Sequence, residues 1–256
     1  MGGGGEGEWE GEGKEIKEMV KVRVLCLHGF RTSGSILQKQ VGKWEKSVLE
    51  RMDLCFPDAP FPAQGKSDVE KHFPPPYYEW FQINSQFTEY QNMDECLSFI
   101  EEYMIKNGPF HGLLGFSQGA KLSAALPGLQ SKGLALTRVP PLQFVIIVGG
   151  AKFKALLHSK QSAYSSAIEC PSLHFLGDKD FLKPYGEELL KSFVDPFVIR
   201  HPMGHTVPRL DKEGVKAINS FLDRVEESIT TKAGNAIGYL NSTEQSEKIE
   251  LEEESH

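Results

Sequence analysis

A serine stands between two glycines in Gly115-Phe116-Ser117-Gln118-Gly119, directly after an apolar run and directly before a helix-like segment. This is the setting of a nucleophile elbow, a tight strand-to-helix turn that projects a serine Oγ clear of a sheet while the glycines avoid a Cβ clash. Three fixed positions arise by chance in roughly one chain in ten of this length, so the setting carries more weight than the motif. Without it, Ser117 would read as an ordinary helix N-cap. A nucleophilic serine needs a base to take its proton, and the chain has 8 histidines. His174 lies inside a strand-like run, His111 starts one, and His28 belongs to a separate turn. His205 falls in a loop after the last strand and before the last helix, where an imidazole reaches over a sheet's carboxyl edge. The acid that orients it should follow the serine and precede the histidine. Leu176-Gly177-Asp178-Lys179-Asp180 ends a strand in that interval. Asp178 suits a turn side chain bonding its own backbone; Asp180, farther out on the loop, is the preferred partner of His205.

A glycine turn also ends the first strand, in Leu27-His28-Gly29-Phe30. Such a turn places one amide of an oxyanion hole, and the expected donors are the backbone N–H groups of Phe30 and Gln118. The bland reading is that His28-Gly29 merely ends a strand. Other matches fail on context. Gly2, Gly4 and Gly7 fit a dinucleotide fingerprint but follow no strand, and Gly65-Lys66-Ser67 lacks the earlier glycine of a phosphate loop. No cluster has metal-ligand spacing, so no metal is expected.

Strand-like and helix-like segments alternate between the ends of the chain, the pattern of a mostly parallel sheet with helices on both faces. Strands are predicted near 20–28, 53–57, 110–115, 144–148, 173–177 and 197–201. Helices are predicted near 35–49, where Leu37, Val41, Trp44 and Val48 recur at helical spacing, and near 94–106, where Leu97, Ile100 and Met104 do. Others are expected near 118–126, 154–158, 184–193 and 212–227. The stretch from Asp58 to Tyr90 is too long and too apolar for a plain connector. It carries Phe61, Phe73, Tyr77, Tyr78, Trp80 and Phe81 among five prolines. One reading makes these aromatics a wall for an acyl chain, with Tyr78, Trp80 and Phe81 as substrate contacts. The other makes them a satellite core under the loop.

With 39% hydrophobic and 25% charged residues over 256 positions, the composition is globular and the length fits one domain. The net charge of -7 sits at the ends: residues 1–18 hold six Glu against Lys14 and Lys17, and residues 241–256 hold six Glu against Lys248. Residues 1–18 and 230–256 therefore read as solvated tails flanking a domain over 19–229. The domain offers no basic stripe for nucleic acid, and no apolar run approaches the ~20 residues of a membrane span. Four cysteines without C-x-x-C spacing, and no secretory signal, point to buried free thiols and a cytoplasmic or nuclear protein.

Taken together, Leu25-Cys-Leu-His-Gly-Phe30, the Gly34 to Gln40 segment, Tyr78-Glu-Trp80, Gly108-Pro-Phe-His-Gly112 leading to Gly115-Phe-Ser-Gln-Gly-Ala120, Gly177-Asp-Lys-Asp180 and Gly204-His-Thr-Val-Pro208 resemble the family serine hydrolases of the α/β-hydrolase superfamily. The resemblance covers about residues 20–225. It implies the α/β-hydrolase fold and a cofactor-free esterase or thioesterase acting on a small-molecule ester. Ser117 would be nucleophile, His205 base and Asp180 its partner. Met203 departs from the glycine expected before Gly204-His205. The rival from another class is a hydrolase-fold binding module that lost its chemistry; such a module would usually lack a triad member, and here all three are present.

Overall fold

The computed structural model describes residues 21–84, 89–153 and 162–253, with side chains to residue 232. Along the chain run β1 (Val22–Leu27), α1 (Gly34–Val41), α2 (Lys46–Leu49), β2 (Met52–Cys55), β3 (Phe61–Pro62), β4 (Tyr78–Glu79), β5 (Gln82–Ile83) and β6 (Tyr90–Gln91). Then follow α3 (Met93–Asn107), β7 (Gly112–Phe116), α4 (Gln118–Gln130), β8 (Phe144–Val148), β9 (Ser172–Gly177), α5 (Lys183–Leu190), β10 (Phe197–His201) and α6 (Lys212–Glu253).

Six strands form one sheet in the order β10-β9-β8-β7-β1-β2, and every neighbouring pair is parallel. Strand alternation explains why helices must cover both faces. Leu25, Leu27, Leu113, Val145 and Ile147 point into one core with α3 and α4; Val22, Val24, Cys26, Leu114, Phe144, Ile146 and Val148 point into another with α1, α2 and α6. Strands buried on both sides read as continuous apolar runs, as β7 and β8 do. The chain turns from β1 to β2 on one side and returns to β7 on the other, so the carboxyl ends of β1 and β7 flank the switch point where ligands bind in open α/β sheets.

Local departures from expectation have physical causes. The helix predicted over 35–49 breaks at Gly42, which caps α1 by donating to Gln38 O, and resumes as α2 after extended Glu45; Trp44 and Val48 remain buried. Cys96, rather than Leu97, is the residue fully buried with Ile100 and Met104 on α3. The closing helix continues to Glu253, over residues that read as a tail. Glu is the commonest residue there, and no proline stops the helix. The helix-like piece near 154–158 lies outside the described residues. Between Asp58 and Tyr90 the chain folds into two short antiparallel pairs, β3 with β4 and β5 with β6.

Candidate active site

β7 ends at Phe116 and α4 begins at Gln118, so Ser117 alone makes the turn. Its backbone, at φ 53 and ψ -108, lies where L residues are strained by about 1–3 kcal/mol. The glycines explain how the strain is held. A Cβ on Gly115 would stand 2.3 Å from the Gly119 carbonyl oxygen, and one on Gly119 would stand 2.0 Å from that of Leu27. Neither glycine has a positive φ. They are required for close approach, and the unusual conformation sits on the serine itself.

His205, on the loop after β10, and Asp180, on the loop after β9, converge on this turn. His205 Nε2 lies 2.9 Å from Ser117 Oγ, and His205 Nδ1 lies 2.8 Å from Asp180 Oδ2. A carboxylate only accepts, so the imidazole proton sits on Nδ1 and Nε2 is free to accept the Ser117 hydroxyl proton. Asp180 is buried, and its Oδ1 accepts from Leu182 N–H at 2.7 Å. Asp178 instead faces solvent and pairs with Lys183 at 2.9 Å; that ammonium lowers its pKa. Met203 does not disturb the loop: its backbone is outside the left-handed region and its carbonyl accepts from Lys179 N–H.

The imidazole is boxed in by groups to which the sequence assigned no role. Phe116 and Phe181 lie against it, with centroids at 5.0 and 4.8 Å. Gly149, just after β8, sits at φ +61, and a Cβ there would meet His205 Cε1 at 2.8 Å. The Gly149-Gly150 pair at the end of an apolar strand was the available signal; that Phe181 neighbours Asp180 was another.

The turn after β1 abuts the same serine. A Cβ on Gly29 would lie 3.5 Å from that of Ser117. His28 Nε2 accepts from Ala59 N–H at 3.0 Å, which leaves its proton on Nδ1. That Nδ1–H and the Thr32 hydroxyl both donate to the Gly29 carbonyl, each at 2.8 Å. Burial pushes the His28 pKa down to about 4, so the ring stays neutral. The Gly29 carbonyl and the Phe30 N–H share one planar peptide and point opposite ways. Two donors on the carbonyl therefore fix the direction of the Phe30 amide and polarise it. Gln118 N–H is among the free amides that begin α4, where the helix dipole favours negative charge.

Trp80 and Phe81 do not face a substrate, and the expectation of an acyl wall is corrected for both. They are 0% and 2% exposed. Trp80 packs on His28 and Phe99, Phe81 on Tyr90 and Phe153. Hydrogen bonds tie this stretch to the ends of β1 and α4: Trp80 Nε1–H donates to the His28 carbonyl and Gln118 Nε2–H donates to the Phe81 carbonyl. Tyr78 is half-buried and its N–H donates to Thr32 O at 2.7 Å. The other expected histidines are structural: His174 is buried against Ser172 and Phe193, and His111 accepts from Arg23 N–H. All four cysteines are free, and burial raises the thiols of Cys26, Cys96 and Cys170.

Residues 18–217 match the family described as Serine hydrolase (FSH1). The chain belongs to this FSH1 serine hydrolase family. It is similar to Esterase CG5412 of Drosophila melanogaster, 33% identical over 235 residues that cover 87% of this chain and 82% of that one. It is similar to Esterase OVCA2 of Homo sapiens, 32% identical over 225 residues, 80% of this chain and 97% of that one. Acyl-protein thioesterase 2 of Zea mays shares the fold, with a TM-score of 0.57 at 18% identity over 82% of this chain and 96% of that one. This FSH1-family protein is a serine hydrolase with an α/β-hydrolase fold. Among its described residues no helix is long and apolar enough to cross a membrane.

Proposed function

We propose that this serine hydrolase cleaves carboxylic esters of small molecules through an acyl intermediate on Ser117. The observation that carries the reading is the unbroken relay from Ser117 Oγ through His205 to Asp180, at 2.9 and 2.8 Å. The esterase names of the Drosophila and human relatives support it. In acylation, Ser117 Oγ bonds to the substrate carbonyl carbon while its proton passes to His205 Nε2. The carbonyl oxygen becomes an oxyanion facing the amides of Phe30 and Gln118, and each such donor is worth a factor of ~10²–10³. Collapse breaks the bond to the leaving group, which departs as alcohol with the His205 proton. Water then gives a proton to His205, its oxygen adds to the acyl carbon, and the second collapse returns the proton to Ser117 and frees the acid. Asp180 holds the tautomer throughout and stabilises the imidazolium.

The acyl chain meets the exposed aromatics of the rim rather than the buried ones of the loop. Phe181 is 71% exposed against the His205 ring, and Phe30 is 40% exposed beside its own amide. Hydrolysis of p-nitrophenyl esters by wild type, Ser117→Ala and His205→Ala tests the reading. Either substitution should reduce turnover by several orders of magnitude with the circular dichroism spectrum unchanged, since the groups act as one unit. Substantial turnover by folded Ser117→Ala protein would overturn it.

A further inference from the structure

The two amides assigned to the oxyanion come from different elements, Phe30 from the end of β1 and Gln118 from the start of α4. Donors of this kind act only when held within about 0.5 Å of the productive geometry, so something must fix one element against the other. Gly119 N–H donates to the His28 carbonyl at 3.1 Å. Trp80, which lies on neither element, supplies two further links across the gap. Trp80 Nε1–H donates to the same His28 carbonyl at 2.9 Å, and Trp80 backbone N–H donates to Gln118 Oε1 at 2.9 Å. The Gln118 amide closes the bracket by donating from Nε2 to Phe81 O at 2.7 Å.

We propose that Trp80 is a positioning residue of the oxyanion hole, locking the Phe30 turn to the Gln118 amide through its two N–H groups. This rests on the oxyanion assignment above. Trp80 is fully buried, so it acts without touching substrate. An aromatic ring alone would fill the space beside His28 and Phe99. The indole N–H adds a second donor to the His28 carbonyl, one peptide upstream of the plane that aims the Phe30 amide. The Gln118 side chain is likewise committed to Trp80 and Phe81, which ties the start of α4 to the loop rather than to solvent.

The test replaces Trp80 with β-(3-benzothienyl)alanine, which keeps the ring shape and removes the N–H. Gln118→Met serves as a second variant, removing the acceptor of the Trp80 amide. Three quantities are compared with wild type: kcat/KM for a p-nitrophenyl ester, affinity for an alkyl boronic acid that forms a tetrahedral adduct at Ser117, and affinity for a non-cleavable alkyl ether analogue. The expected result is a fall of about ten- to a hundredfold in kcat/KM, a parallel loss of boronate affinity, and ether binding within twofold. A folded variant of either kind with kcat/KM within twofold of wild type overturns the proposal. So does a loss shared equally by the ether, which marks a merely structural role. Should the benzothienyl protein not fold, Gln118→Met decides by the same criteria. Failure of wild-type protein to form the boronate adduct would instead sink the oxyanion assignment itself.

Discussion

Gly149 lies directly against His205: at φ +61, a side chain there would meet the imidazole Cε1 at 2.8 Å and Asp180 Oδ2 at 3.2 Å. The third strand end of the catalytic edge therefore contributes no functional group, only the room in which the His205–Asp180 pair sits. Gly149→Ala adds a methyl that must displace the ring, on a backbone that already disfavours it. Because misplacement by about 1 Å can cost ~10²-fold, turnover should fall at least tenfold. Steady-state kinetics on the folded variant checks this, and activity within twofold of wild type would show that the ring tolerates the displacement.

The two aspartates after β9 should separate cleanly. Asp180→Asn removes the acceptor that fixes the His205 tautomer, and a loss on the order of 10⁴ in kcat is expected. Asp178 makes a solvent-exposed pair with Lys183, so Asp178→Asn should change kcat by less than twofold. The reverse ranking would mean that the relay runs through the other carboxylate.

Burial holds His28 at about 4 and His174 at about 3, below the ordinary value of 6.5. Between these limits the unfolded chain binds protons that the folded chain does not, so stability rises with pH there. The contribution is full above pH 6.5 and is lost as pH falls toward 4. At pH 5 the loss is about 2 kcal/mol for each imidazole. The urea midpoint should therefore drop between pH 7 and pH 5, and His174→Gln should make the drop smaller by about 2 kcal/mol in unfolding free energy. A midpoint independent of pH over this interval, or a slope untouched in the variant, contradicts the assignment.

Chain-length preference should be set at the rim. Each buried methylene contributes ~0.8 kcal/mol, so kcat/KM for p-nitrophenyl esters should rise several-fold with each added pair of carbons before levelling. Phe181→Ala should flatten that rise while leaving acetate hydrolysis within a few-fold of wild type. A profile that is flat in wild type, or unchanged in Phe181→Ala, removes the exposed aromatics from the acyl site.

How far the sequence could be read depended on whether a property is local. β7 and β8 were legible because strands buried on both faces leave unbroken apolar runs, β1 because only Arg23 interrupts its run, and Ser117 because its two flanking glycines mark a turn where backbones approach closely. His205 and Asp180 followed from their loops, since the ends of parallel strands share one edge. The inward turn of Trp80 was not legible: an aromatic among prolines looks the same whether it lines a pocket or a core, and only the carbonyl of His28 and the amide of Gln118 show which. Gly149 was invisible as a site residue because its role is to leave space beneath a ring 56 residues away. The break of the predicted 35–49 helix at Gly42 was weakly signalled by a glycine that the buried spacing of Trp44 and Val48 overrode.

In the proposed reaction Ser117 carries the acyl group. Treating native protein with a fluorophosphonate probe, followed by intact mass and peptide mapping, tests this directly. One adduct per chain, located on Ser117 and absent from folded Ser117→Ala and His205→Ala proteins, is the predicted result. No adduct on folded wild-type protein, or an adduct on another residue that persists in Ser117→Ala, would contradict it.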